Sequence, residues 1–131
     1  MKAMPRQARG AVCAVMLALS VAVPAQANFT CGGNITYLGF NYTGTVVVAV
    51  GGFGIWSICN VNEPISNGGI TIGPETCKGW YATLLANQKA NQAITFYFTS
   101  SANTSNGPEC SAIGSWVAPN PLPYFVQISG S

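Results

Sequence analysis

The chain has 131 residues, 49% of them hydrophobic and 6% charged, with five Lys and Arg against three Asp and Glu and no His. Three of the cations, Lys2, Arg6 and Arg9, lie at the N-terminal end, so residues 28–131 carry only Lys78 and Lys89 against Glu63, Glu75 and Glu109. That balance excludes a nucleic-acid partner, which needs clustered cations to meet phosphate. It also argues against adhesion to anionic lipid.

The basic start is followed by an uncharged apolar run from Ala11 to Val23, and Pro24-Ala25-Gln26-Ala27 ends in the small-x-small pattern of a signal-peptidase site. Residues 1–27 therefore read as a secretory signal peptide. The run is too short to span a bilayer, so no membrane span is expected after cleavage. Cys13 lies inside it and does not mark a lipoprotein site. The expected location is secreted or periplasmic. Residues 28–131 read as a single domain, long enough to bury roughly 60–65% of its unfolded surface. Four cysteines remain there, Cys31, Cys59, Cys77 and Cys110. An even number in a short exported chain reads as two disulfides. The turn-rich segment between Cys59 and Cys77 can fold back on itself, which favours that pair and leaves Cys31–Cys110. No Cys-x-x-Cys pair and no His support a zinc site.

In chain order, Asn28 to Gly33 is a lead-in pinned by Cys31. Ile35 to Phe40 is a strand with Ile35, Tyr37 and Leu38 as core candidates. Asn41-Tyr42-Thr43-Gly44 is a turn, and the β-branched run Thr45 to Val50 is the clearest strand. Gly51-Gly52 signals a hairpin into a strand from Phe53 to Cys59, with Phe53, Ile55, Ser57 and Cys59 on one face and Trp56 and Ile58 on the other. A loop follows to Gly73, with a short strand near its end. Pro74 suits a first helical position and Glu75 the helix dipole. Cys77, Trp80 or Tyr81, Leu84 and Gln88 keep helical spacing, predicting a helix over 74–90. Gly79 inside it costs about 1 kcal/mol against Ala, which a close approach of helix and strand would explain. Ile94, Phe96 and Phe98 alternate in a strand from Ala93 to Ser100. A polar, mobile loop leads to a strand from Cys110 to Val117. Pro119, Pro121 and Pro123 make a stiff connection, and Tyr124 to Ile128 closes the fold. The expected class is mainly β with one helix: a small OB-like barrel plugged by the helix, or a two-layer α+β sheet with one packed helix.

Catalytic groups are scarce. Without His, a Ser or Cys nucleophile lacks its ordinary base. Glu63, Glu75 and Glu109 could supply a carboxylate pair for glycoside hydrolysis only if two faced each other across a cleft. No phosphate loop, calcium loop or cofactor motif is present. The reading is a protein that is not an enzyme and takes no cofactor or metal. Aromatic residues are the remaining candidates for recognition. Trp56 and Trp80 flank the favoured disulfide and read as core. Trp116, Tyr124 and Tyr97 are the candidate ligand-binding residues. The Asn-x-Thr/Ser triplets at Asn28, Asn34, Asn41 and Asn103 read as chance matches in an Asn- and Thr-rich chain.

Gly44-Thr45-Val46-Val47-Val48, Trp56 to Cys59, Cys77-Lys78-Gly79-Trp80, Ile94 to Phe98, and Cys110 followed by Gly114-Ser115-Trp116 form a pattern that resembles a group of small exported bacterial proteins without an assigned function. More distantly, the order of elements is similar to the B subunits of AB-type toxins of the subtilase-cytotoxin kind. That resemblance implies an OB barrel, a homo-oligomer and recognition of a cell-surface glycan; it carries over no individual sugar-contacting residue. The expected function is thus a secreted, non-catalytic binding module for a glycan or other cell-surface ligand. The alternative is a structural or interaction protein of the envelope with no small ligand.

Overall fold

The computed structural model describes residues 28–128; the expected signal peptide lies outside them. The described chain is mainly β, with nine strands and two helices. β1 (Asn28–Gly33) runs at once into β2 (Ile35–Phe40), followed by β3 (Thr45–Val50) and β4 (Trp56–Asn60). A small hairpin, β5 (Ile65–Asn67) and β6 (Ile70–Ile72), precedes α1 (Pro74–Lys89) and β7 (Ile94–Thr99). β8 (Thr104–Ser105), α2 (Pro108–Ala112) and β9 (Phe125–Ile128) complete the order. The strands make a four-stranded sheet, β8-β1-β7-β9, a three-stranded sheet, β2-β3-β4, and the β5-β6 hairpin. They close no continuous barrel among the described residues.

The core lies between the two larger sheets. Alternation on β7 buries Ile94, Phe96 and Phe98, and on β3 it buries Val46, Val48 and Val50. Trp56 is fully buried between them, edge-on to Phe96 at 6.1 Å and to Phe98 at 5.8 Å. Phe29 stacks on Phe98 at 4.7 Å. Both disulfides form in the favoured pairing. Cys59–Cys77 fastens α1 to β4, and Cys31–Cys110 fastens α2 to β1. Such bridges belong to a chain that folds in an oxidising environment. No helix among the described residues is long and apolar enough to cross a membrane.

α1 starts on Pro74 after Gly73 and buries Cys77, Leu84 and Asn87, while Trp80 and Tyr81 are half-buried. Gly79 departs from its expected role. It is exposed, and a Cβ there would meet nothing within 4 Å, so no close helix–strand approach requires it.

Several strands differ from expectation for identifiable reasons. The expected lead-in 28–33 is a full strand, paired with β7 along its length. The expected strand over Cys110 to Val117 is instead α2 and a turn. Pro108 takes the first helical turn with Glu109 beside it, the same Gly-Pro-Glu start that opens α1. The expectation of a single helix is corrected accordingly. β4 begins only at Trp56, because residues 51–55 form the connecting loop. A bulge shifts its register, so that Val47 faces Ser57 but Val46 faces Cys59. Cys59 therefore joins Trp56 on the inner face and leaves Ser57 alone on the outer one. A second bulge, in β2, lies between Ile35 and Tyr37. It keeps Ile35 in the core and turns Tyr37, a core candidate by simple alternation, to the outside, where it is 42% exposed.

Candidate functional site

The outer face of the three-stranded sheet carries a shallow groove of about 240 Å³. Its floor is a row of residues in direct register across the strands. Gly39 faces Val47, and Val47 faces Ser57. Gly39 supplies no side chain, and a Cβ there would enter open space. The groove is thus a dip in the sheet's outer face where one side chain is missing. Tyr37 and Trp116 wall it, and Phe40 and Asn41 line it further. The two ring centroids lie 5.8 Å apart, edge to face.

Trp116 is held there by the backbone. The segment 115–117 docks alongside β4, where Val117 pairs with Trp56 in parallel. Trp116 N donates to Ile55 O at 2.6 Å, Ser57 N donates to Val117 O at 2.9 Å, and Ile55 N donates to Ser115 Oγ at 3.1 Å. The docked conformation sets Trp116 at φ 61°, a region that a bulky side chain avoids. Trp116 is nevertheless 63% exposed. Burial of the side chain does not explain the strained backbone. The hydrogen bonds that dock residues 115–117 against β4 hold it in place instead. The close docking depends on Gly54, where a Cβ would stand 2.1 Å from Gly114 O.

The polar edge is equally fixed. Asn41 Oδ1 accepts from Thr43 N at 3.0 Å, Thr43 Oγ1 at 2.6 Å and Thr45 N at 3.0 Å. The two backbone donors identify that atom as the oxygen, so the Asn41 amide nitrogen is left to donate elsewhere. Buried Asn60 braces the same turn by donating to Thr43 O and Thr45 Oγ1. The Ser57 hydroxyl adds a donor and acceptor on the floor. Among the described residues, no ionisable acid or base other than the Tyr37 phenol lines the groove.

The three candidate ligand residues do not converge. Trp116 stands on the three-stranded sheet. Tyr97 and Tyr124 form a separate cluster on the four-stranded one, with centroids 6.3 Å apart. Phe125 packs edge-on against Tyr97 at 5.4 Å, and the Tyr97 hydroxyl donates to Gln127 Oε1. Tyr37 is the site residue that sequence reasoning missed, because alternation assigned it to the core. The glutamates are scattered in setting. Glu63 is exposed, Glu75 pairs with Lys78 at 2.9 Å, and Glu109 accepts from Thr104 Oγ1 at 2.7 Å. Among the described residues no three His, Cys, Asp or Glu side chains gather as a metal site. The chain matches no protein-family model, no curated protein and no solved structure.

Proposed function

We propose that this protein is an exported, non-catalytic binding module that holds a neutral saccharide in the groove between Trp116 and Tyr37. The observation that carries this reading is Trp116 itself, exposed yet fixed by its own hydrogen bond to Ile55 O and those of its neighbours Ser115 and Val117, in a backbone conformation its side chain disfavours. An indole face covers the apolar C–H face of a pyranose ring. Asn41 and Ser57 then lie within the same groove to hydrogen-bond its hydroxyls. A few fixed polar groups around an aromatic wall are the ordinary make-up of a small-ligand site. The groove's lack of acidic and basic side chains favours an uncharged ligand over an acidic one.

The proposal extends to an OB-like, partly open barrel similar to toxin B subunits. In support, β1 and β2 follow one another with only Asn34 between them and pair with β7 and β3 respectively. The segment at Val117 meets β4 in parallel before the chain reaches β9, which pairs antiparallel with β7. α1 stands between β4 and β7. Five-stranded Greek-key barrels of this class use such an order.

A second reading is an envelope interaction protein. It is favoured by β9, an edge strand among the described residues on which Phe125 and Ile128 are about half exposed. Light scattering on the oxidised protein, followed by a glycan array on wild type and Trp116→Ala, separates the two. The saccharide reading expects array binding that Trp116→Ala abolishes. Array silence from a folded wild-type protein would refute it.

A further inference from the structure

A second cavity, of about 410 Å³, lies apart from the groove between α2 and the segment that leads away from Val117. Its floor is Phe29, held by its stack on Phe98. One wall is α2, with Ala112 and Ile113, and the Cys31–Cys110 bridge pins that helix to β1. The opposite wall is Val117, Ala118 and Asn120. That wall is tethered at both ends, by Ser57 N to Val117 O at 2.9 Å and by Asn67 Nδ2 to Pro119 O at 2.9 Å. The cavity is therefore framed by elements that are each tied down.

Its lining is apolar except for Asn120 and one ionisable group, Glu109. Thr104 Oγ1 donates to Glu109 Oε2 at 2.7 Å, which steadies the carboxylate without neutralising it. Among the described residues the ion pair formed is Lys78 with Glu75, and no cation accompanies Glu109. An unneutralised carboxylate at the rim of an apolar cleft creates a field that selects a cation with an apolar body. We propose that this cleft is a binding site for a small organic ammonium ion, with the ammonium on Glu109 and the hydrocarbon part against Phe29, Ile113 and Val117. Its lining shares no residue with the saccharide groove.

The test is an NMR titration of the full oxidised protein with 2-phenylethylammonium and, separately, with the uncharged isostere 2-phenylethanol. Shifts at Ala112, Ile113 and Val117 are expected, with the ammonium bound about three- to tenfold more tightly than the alcohol, as for a partly exposed charge-assisted contact. Glu109→Gln keeps an acceptor for Thr104 and should erase the difference between the two probes. Should Glu109→Gln lower the melting temperature, Ala118→Phe provides the alternative variant, changing an exposed residue of the opposite wall. It should block both probes. Equal binding of amine and alcohol, shifts confined to other surfaces, or an unchanged preference in a folded Glu109→Gln protein would overturn the assignment.

Discussion

Gly54→Ala tests whether the docking of residues 115–117 is what presents Trp116. The new Cβ would stand 2.1 Å from Gly114 O, 2.8 Å from Gly114 C and 3.0 Å from Ser115 Cα, all backbone atoms that cannot rotate away. If the segment undocks, three hydrogen bonds are lost at about 1 kcal/mol each, offset by about 1–2 kcal/mol of relieved strain at Trp116. The net loss is about 1–2 kcal/mol. If the segment stays, overpacking costs about 1–3 kcal/mol. For a domain of this size the first route lowers the melting temperature by about 4–16 °C and the second by about 4–24 °C. Gly52→Ala is the control, because a Cβ there meets nothing within 4 Å and its φ is not in the left-handed region. It should be neutral or stabilise by a few tenths of a kcal/mol up to about 1 kcal/mol. The assay is thermal unfolding followed by circular dichroism, with the oxidised state verified by mass. A Gly54→Ala protein that melts with wild type would refute the docking argument.

Gly79→Ala should stabilise α1 by about 0.5–1 kcal/mol, since the position is exposed, mid-helical and unobstructed; a lowered melting temperature would contradict this. Cys77→Ser opens the 18-residue separation of the Cys59–Cys77 bridge and should cost about 3 kcal/mol, whereas Cys31→Ser, across a separation of 79, should cost about 4–5 kcal/mol by loop entropy. Denaturant titration of both variants checks the order. Trp116→Gly should leave stability within about 1 kcal/mol of wild type, because relief of the left-handed backbone offsets the lost Tyr37 contact. It should nonetheless abolish saccharide binding, which an isothermal titration would report.

Much of the frame was legible from residue pattern. Cysteine parity and the turn-rich segment after Cys59 pointed to both bridges, and Pro74, Glu75 and the Cys77–Leu84 spacing located α1. The β-branched run located β3, and alternation located β7. The two misassigned faces share a cause, which is that local periodicity does not register a residue inserted out of phase. The bulge after Ile35 reverses the side on which Tyr37 emerges, and the bulge in β4 separates Ser57 from Cys59. α2 had a readable start in Gly107-Pro108-Glu109, but the stretch from Cys110 to Val117, with Ile113 and Trp116 in it, reads as a strand. Trp116 could be singled out as an aromatic. Its partner Tyr37 lies far away in sequence, on β2, and no spacing rule links the two.

The most direct test of the saccharide groove is the response of the tryptophan side chains to a bound sugar. The chain has three tryptophans, Trp56, Trp80 and Trp116, and each gives its own indole N–H resonance. Trp56 is fully buried and Trp80 is half-buried, while Trp116 is exposed over the groove. On titration with a saccharide that the protein binds, the Trp116 resonance should shift together with the amides of Tyr37, Asn41 and Ser57, leaving Trp56 in place. Saturable binding that leaves Trp116 unmoved and shifts Tyr97, Tyr124 and Phe125 instead would contradict the proposed site.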